Sequence, residues 1–181
     1  MSFIHDLKVK YHWYKFNNAV KNLRADRTSV NFTDARTVGI LFDATDLAQR
    51  ESVLKFAKAL EKQDKKVKLL GFVRTKEDSS NLSFPNFNLK DLNLALLPEK
   101  SAVVQDFTSR DFDILLNPAP VEVIPLEYIS ALSKAKYRVG PVTEKTVCYE
   151  LMIDVSENKT TDAFFKQAMH FLGKMNKQSA V

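Results

Sequence analysis

Two aspartates, in Asp43-Ala-Thr-Asp46, follow directly on the apolar run from Val38 to Phe42. Carboxylates at the end of a buried parallel strand can hold Mg²⁺, or one of them can accept a proton as a general base. Asp46 is the candidate for that base, and no other catalytic residue is assigned. The structural alternative is that Asp46 or Thr45 caps a following helix and Asp43 orders the turn. A second strand end, Asn117-Pro-Ala-Pro120, closes the run Asp113-Ile-Leu-Leu and adds Asn117. With Arg138 these residues, Asp43, Asp46 and Asn117, form the candidate ligand-binding set, carried chiefly by the loops 43–46 and 117–120.

Other chemistries lack their parts. The turn at 43–46 has no glycine and two carboxylates, whereas a dinucleotide pyrophosphate needs glycines for close backbone approach and is repelled by negative charge. The chain has 4 glycines in all and no phosphate-cradling loop. Zinc needs clustered Cys and His ligands; the chain has 3 histidines and one cysteine. His5 and His12 can share a helical face but have no third ligand near them in sequence. His170 falls within a helical pattern, and Cys148, at the start of an apolar run, reads as a small buried hydrophobe. No cofactor and no metal is expected, and the balance leans away from an enzyme.

The densest concentration of recognition chemistry is at the N-terminus. Lys8, Lys10, Tyr11, Trp13, Tyr14, Lys15, Phe16, Lys21 and Arg24 interleave cations with aromatic rings. Such a segment can pair with phosphates and stack on bases, lie on an anionic membrane surface, or dock in a protein groove or against a second copy. It can also pack on its own domain. Residues 1–36 hold seven basic against three acidic side chains, a net +4, and the remainder holds 20 basic against 19 acidic, so most of the formal +5 belongs to this segment.

The elements that position these groups follow from periodicity. Residues 2–24 read as an amphipathic helix, with Ile4, Leu7, Tyr11 and Tyr14 on one stripe and Trp13, Phe16, Val20 and Leu23 on the next. A polar linker runs to Arg36, dividing the chain into a basic aromatic arm, 1–36, and a Rossmann-like α/β domain, 37–181. Within the domain, strands are expected at 38–42, 67–73, 92–97, 113–117, 137–139 and 148–155. Helices are expected at 46–66, 102–107, 125–135 and 161–177, the last with Phe164, Phe165, Ala168, Phe171 and Leu172 inward. Residues 74–91 read as a long loop. This alternation predicts a three-layer, mostly parallel sheet with helices on both faces, and a ligand crevice beyond the carboxyl ends of the strands where their order reverses. Length, 181 residues, fits one domain plus an appendage. No run reaches the ~18 apolar residues of a membrane span, no secretory signal pattern opens the chain, and a single cysteine agrees with a reducing, cytoplasmic setting.

Two resemblances attach to these segments. The run Val38–Phe42, Asp43-Ala-Thr-Asp46 and a long helix, with Phe112-Asp-Ile-Leu-Leu and Ala131-Leu-Ser-Lys-Ala-Lys-Tyr-Arg-Val-Gly140 later, resembles the N-terminal domain of heptosyltransferase-type glycosyltransferases across residues 38–141. That likeness implies a Rossmann-like fold and would place Asp46 at the family's catalytic-base position, with Thr45 where the family has glycine. The chain is also similar to uncharacterised bacterial proteins of this size, through Ser133-Lys-Ala-Lys-Tyr-Arg-Val-Gly-Pro141 and Tyr149-Glu-Leu-Met-Ile-Asp154, which implies a single Rossmann-like domain of unknown function. The leading expectation is a non-catalytic binding or adaptor protein acting through its N-terminal helix, with RNA or a ribonucleoprotein as partner. The alternative is a small-molecule-binding or glycosyltransferase-like domain acting through the strand-end loops.

Overall fold

The computed structural model describes residues 3–21, 23 and 25–175, with side chains described from Lys10 onward. Helix α1 spans Phe3–Lys21. Strands and helices then alternate: β1 (Thr37–Asp43), α2 (Leu47–Glu61), β2 (Lys66–Val73), β3 (Asn86–Asn88), α3 (Ala102–Thr108), β4 (Ile114–Leu116), α4 (Ile124–Leu132), β5 (Tyr137–Pro141), β6 (Leu151–Ile153) and α5 (Thr161–Lys174). The six strands form one sheet in the order β3-β2-β1-β4-β5-β6, and every pairing is parallel. The three-layer Rossmann-like α/β fold expected from the sequence is present, and strand order reverses between β1 and β4.

Both faces of the sheet are dry, which is why the central strands are continuous apolar runs. On one face Ile40, Phe42, Ile114, Leu116 and Val139 meet Val53, Ala57 and Leu60 of α2 and Phe164, Phe165, Ala168 and Leu172 of α5. On the other, Leu41, Leu70, Phe72 and Leu115 meet Val104 and Phe107 of α3 and Leu126 and Ile129 of α4. Phe171 lies outside this core, 45% exposed.

Helix α4 is buried from Pro125 to Ala131, with no solvated face. A helix that is apolar all round needs a second cover. Helix α1 supplies it: Phe16, 1% exposed, packs into a cluster with Tyr128 and Ala131 of α4 and with Leu97, Cys148 and Tyr149. The segment after α1 continues along the domain. Arg27 donates to the carbonyls of Ser133 and Ala135 at the end of α4, and Lys65 donates to those of Phe32 and Ala35 at 2.8 Å each.

Two elements differ from the sequence expectation. The third strand is Asn86–Asn88, inside the stretch read as loop, where Phe87 faces the core and pairs with Phe72 of β2. Residues 92–97 instead form a turn. The Asn93 side chain accepts from the backbone N–H of Ala95 (2.8 Å) and Leu97 (3.1 Å), Leu94 is 83% exposed, and Leu96 adopts the left-handed conformation (φ 59°). The leucine run satisfies its own backbone locally and leaves the sheet edge to β3. The last strand is shorter than expected, because Thr146–Cys148 closes as a 3-10 turn before β6.

Candidate functional site

At the end of β1 the two aspartates have separate occupations. Asp46 is the N-cap of α2, its carboxylate accepting from Gln49 N–H at 2.9 Å. Asp43, mostly buried, accepts from Thr45 N–H with one oxygen (3.0 Å) and from Arg74 Nε with the other (2.9 Å). Arg50 closes the turn by donating to the Ala44 carbonyl. The carboxylates are thus pinned by groups within the turn and by the residue following β2.

Asn117, 1% exposed, donates from Nδ2 to the Tyr149 hydroxyl at 2.6 Å and accepts from Ala119 N–H. The Tyr149 ring occupies the space into which a Cβ on Gly140 would project, so this glycine permits close approach of ring to strand. Burial pushes the Tyr149 hydroxyl far above its ordinary pKa. Arg138, 5% exposed, binds the Glu150 carboxylate through Nε (3.0 Å) and a terminal nitrogen (2.6 Å) and donates to the Ser130 and Ala131 carbonyls. It ties β5 and the end of α4 to Glu150. The four strand-end candidates therefore share no hydrogen-bond partner.

The arm residues divide by face. His12 and Phe16 are buried against the domain, whereas Lys10, Tyr11, Tyr14 and Lys21 are exposed, Tyr11 by 44% and Tyr14 by 64%. Trp13, 39% exposed, lies at the boundary. Lys15 is 3.7 Å from the Glu99 carboxylate. The side chains of His5 and Lys8, and all of Arg24, lie outside the described residues.

Beneath the helix is a cluster that sequence reasoning missed. Lys145 inserts its ammonium between the carboxylates of Glu122 and Glu127, and the same Nζ lies 5.2 Å from the centroid of the Trp13 ring. Glu127 is 1% exposed and Lys145 7%. Burial raises the Glu127 carboxyl above the ordinary range even against the pull of the ammonium. Burial pulls Lys145 down, but its two carboxylates outweigh this and raise it. Glu122 is pushed up by burial and down by Lys145, Glu127 and His12 together, for a net lowering.

His12 completes the set. Its Nδ1 is 2.9 Å from the Ala95 carbonyl, which can only accept, so Nδ1 carries the hydrogen and Nε2 is left buried without a partner. Burial lowers its pKa, the nearby Lys145 adding to the effect. The arrangement locks α1 to α4. Cys148, buried beside it, is pushed up to about 12 by burial and remains a thiol. Among the described residues no group of three or more His, Cys, Asp or Glu is placed to hold a metal ion. No helix among them is long and apolar enough to cross a membrane.

Sequence spacing had no access to a cluster drawn from positions 12, 122, 127 and 145. One local signal existed: Glu127 is the sole charge in the apolar helix Ile124–Leu132, and a lone charge in such a helix demands a partner. A family model described as a family of unknown function (DUF6913) matches residues 8–175. No curated protein matches the chain.

Proposed function

The chain belongs to the DUF6913 family, a family of unknown function, and on its geometry we propose that it is a non-catalytic binding protein whose recognition element is the outward face of α1, with single-stranded RNA as the partner. The observation that carries this reading is the division of α1 into two faces. His12 and Phe16 hold the helix to the domain, and Tyr11 and Tyr14 stay in solvent on a helix that also exposes Lys10 and Lys21. Rings three residues apart on a helix lie about 4.5 Å apart along its axis. Flanking ammonium groups then meet the phosphates of a strand whose bases stack on the rings. The concentration of positive charge in residues 1–36 favours a polyanion over a neutral apolar groove.

Deleting the arm is a poor test, because it removes Phe16 from the cluster over α4 and uncovers Tyr128. Substitutions on the outward face leave that packing intact. Fluorescence anisotropy with a labelled oligouridylate 12-mer is the assay. Tyr14→Ala should weaken binding by about 1–3 kcal/mol, the usual worth of one stacked base. Lys10→Ala should weaken it and reduce the steepness of its salt dependence. Absence of binding, or affinity unchanged in the Tyr11→Ala/Tyr14→Ala double variant, would refute RNA as the partner. Loss of a protein co-purifying with the wild type in that same variant, without RNA binding, would assign the face to a protein.

A further inference from the structure

The carboxyl ends of the strands leave a cavity of about 330 Å³ on the α4 side of the sheet, and neither candidate loop lines it. Phe72 at the end of β2, Leu89, Leu92 and Val123 form apolar walls, with Arg74 and Glu122 as the charged groups. The volume is at the small end of the ~300–1,000 Å³ range of ligand pockets, and the position, beside the reversal of strand order, is where α/β sheets bind ligands. Leu96 also lines the cavity, in its left-handed conformation. That backbone is disfavoured for a non-glycine residue, and the turn that contains it is held by the Asn93 side chain.

The charges in the wall are unequal in what remains to them. Glu122 is engaged by Lys145. Arg74 is oriented twice over: its Nε donates to Asp43 at 2.9 Å and its backbone N–H donates to the Thr45 hydroxyl at 2.9 Å. Its terminal guanidinium nitrogens are not engaged by any described residue in this arrangement. A guanidinium held at Nε presents its remaining N–H groups in a fixed plane, the geometry that a carboxylate accepts. We infer that this cavity binds a small monocarboxylate with a branched aliphatic or aromatic body, its carboxylate on Arg74 and its apolar part against Phe72, Leu89, Leu92 and Val123. Asp43 then acts through Arg74, as the group that orients it. None of the exposed α1 residues lines the cavity, so this inference and the RNA reading stand or fall separately.

The test uses the full chain, ¹³C-labelled at Leu, Val and Ile methyls, titrated with 4-methylpentanoate and phenylacetate, and with 4-methylpentanamide as the neutral control. Saturable shifts are expected at Leu89, Leu92, Val123 and Ile124 for the acids, with at least tenfold weaker binding of the amide. Arg74→Gln should weaken both acids at least tenfold, and Arg74→Lys by less, with methyl spectra remote from the cavity unchanged. Leu92→Trp, which fills the cavity, should abolish the shifts. The inference is overturned if neither acid shifts these methyls at about 10 mM, roughly ten times a 1 mM Kd. Shifts at methyls away from the cavity, or an amide or Arg74→Gln protein that binds equally well, would overturn it too.

Discussion

The turn after β1 and the cluster under α1 both hold acidic side chains at the carboxyl edge of the sheet, and they handle charge in opposite ways. In the turn, Asp46 spends its carboxylate on backbone N–H at the start of α2 and remains exposed to water. It contributes one helix cap. Under α1, Glu127 and Lys145 are withdrawn from water together, and each is tolerable only because the other is present. The difference is one of reach. A cap joins residues three apart, whereas the buried cluster fastens α1, α4 and the loops after β4 and β5 to one another. At Asp46 a charge acts on its sequence neighbours; under α1, charges far apart in sequence hold an element in place.

The comparison breaks most visibly at Lys145. Lys145→Met removes the ammonium and leaves Glu127 buried beside an apolar side chain. Loss of one partner of a buried pair costs about 3–5 kcal/mol, and urea unfolding at pH 8 should show a loss of this order. At pH 5 the loss should shrink, because a carboxyl already raised by burial takes up a proton and sheds its charge. A loss below ~1 kcal/mol at pH 8, in the range of exposed pairs, would mean that α1 does not seal the cluster in solution.

The same contrast explains what was legible in the sequence. The cap at Asp46 was readable, because cap and capped N–H are three residues apart and the helix pattern begins immediately afterwards. The central strands were readable, because burial on both faces writes a continuous apolar run at 38–42 and another over the second half of β2, 69–73. Strand β3 was not: three residues, two of them asparagines, become a strand only by pairing with Gly71–Val73 of β2. The leucines at 92–97 misled, because the Asn93 side chain satisfies the backbone of a turn that leaves Leu94 in solvent. Arg74, oriented from Asp43 and Thr45 across two strand ends, and the cluster of His12, Glu122, Glu127 and Lys145 depend on tertiary approach that no local period encodes. The basic aromatic arm was legible as an object, whereas its division into inward and outward faces required α4.

A middle-sized effect sharpens the turn's side of the comparison. Asp46→Ala should cost about 1 kcal/mol, the usual worth of an N-cap. Asp46→Asn should restore most of the loss, since an amide oxygen caps as well as a carboxylate. Both are read from urea midpoints at constant slope. A loss several times larger, unrescued by asparagine, would require that Asp46 carry a charge-dependent role beyond the cap.

The smallest effect is a change of slope, and it belongs to His12. Its folded pKa lies below the ordinary 6.5 of histidine because burial disfavours the imidazolium, Lys145 adding to that and Glu122 and the Ala95 carbonyl opposing it. Below pH 6.5 the unfolded chain therefore binds a proton that the folded chain refuses, so the stability present above 6.5 declines as pH falls toward the folded value. Glu127, raised, works in the opposite sense: above 4.5 its folded form holds a proton longer than the unfolded form, so its contribution falls as pH rises. His12→Asn keeps a donor for the Ala95 carbonyl, removes the titration of the ring and leaves the Glu127 contribution behind. The difference in unfolding free energy between wild type and this variant, measured from pH 8 to pH 5, should decrease steadily through and below 6.5. His12 is buried only while α1 rests on α4, so two parallel pH profiles would show a solvated histidine and a helix that does not cover this end of the sheet.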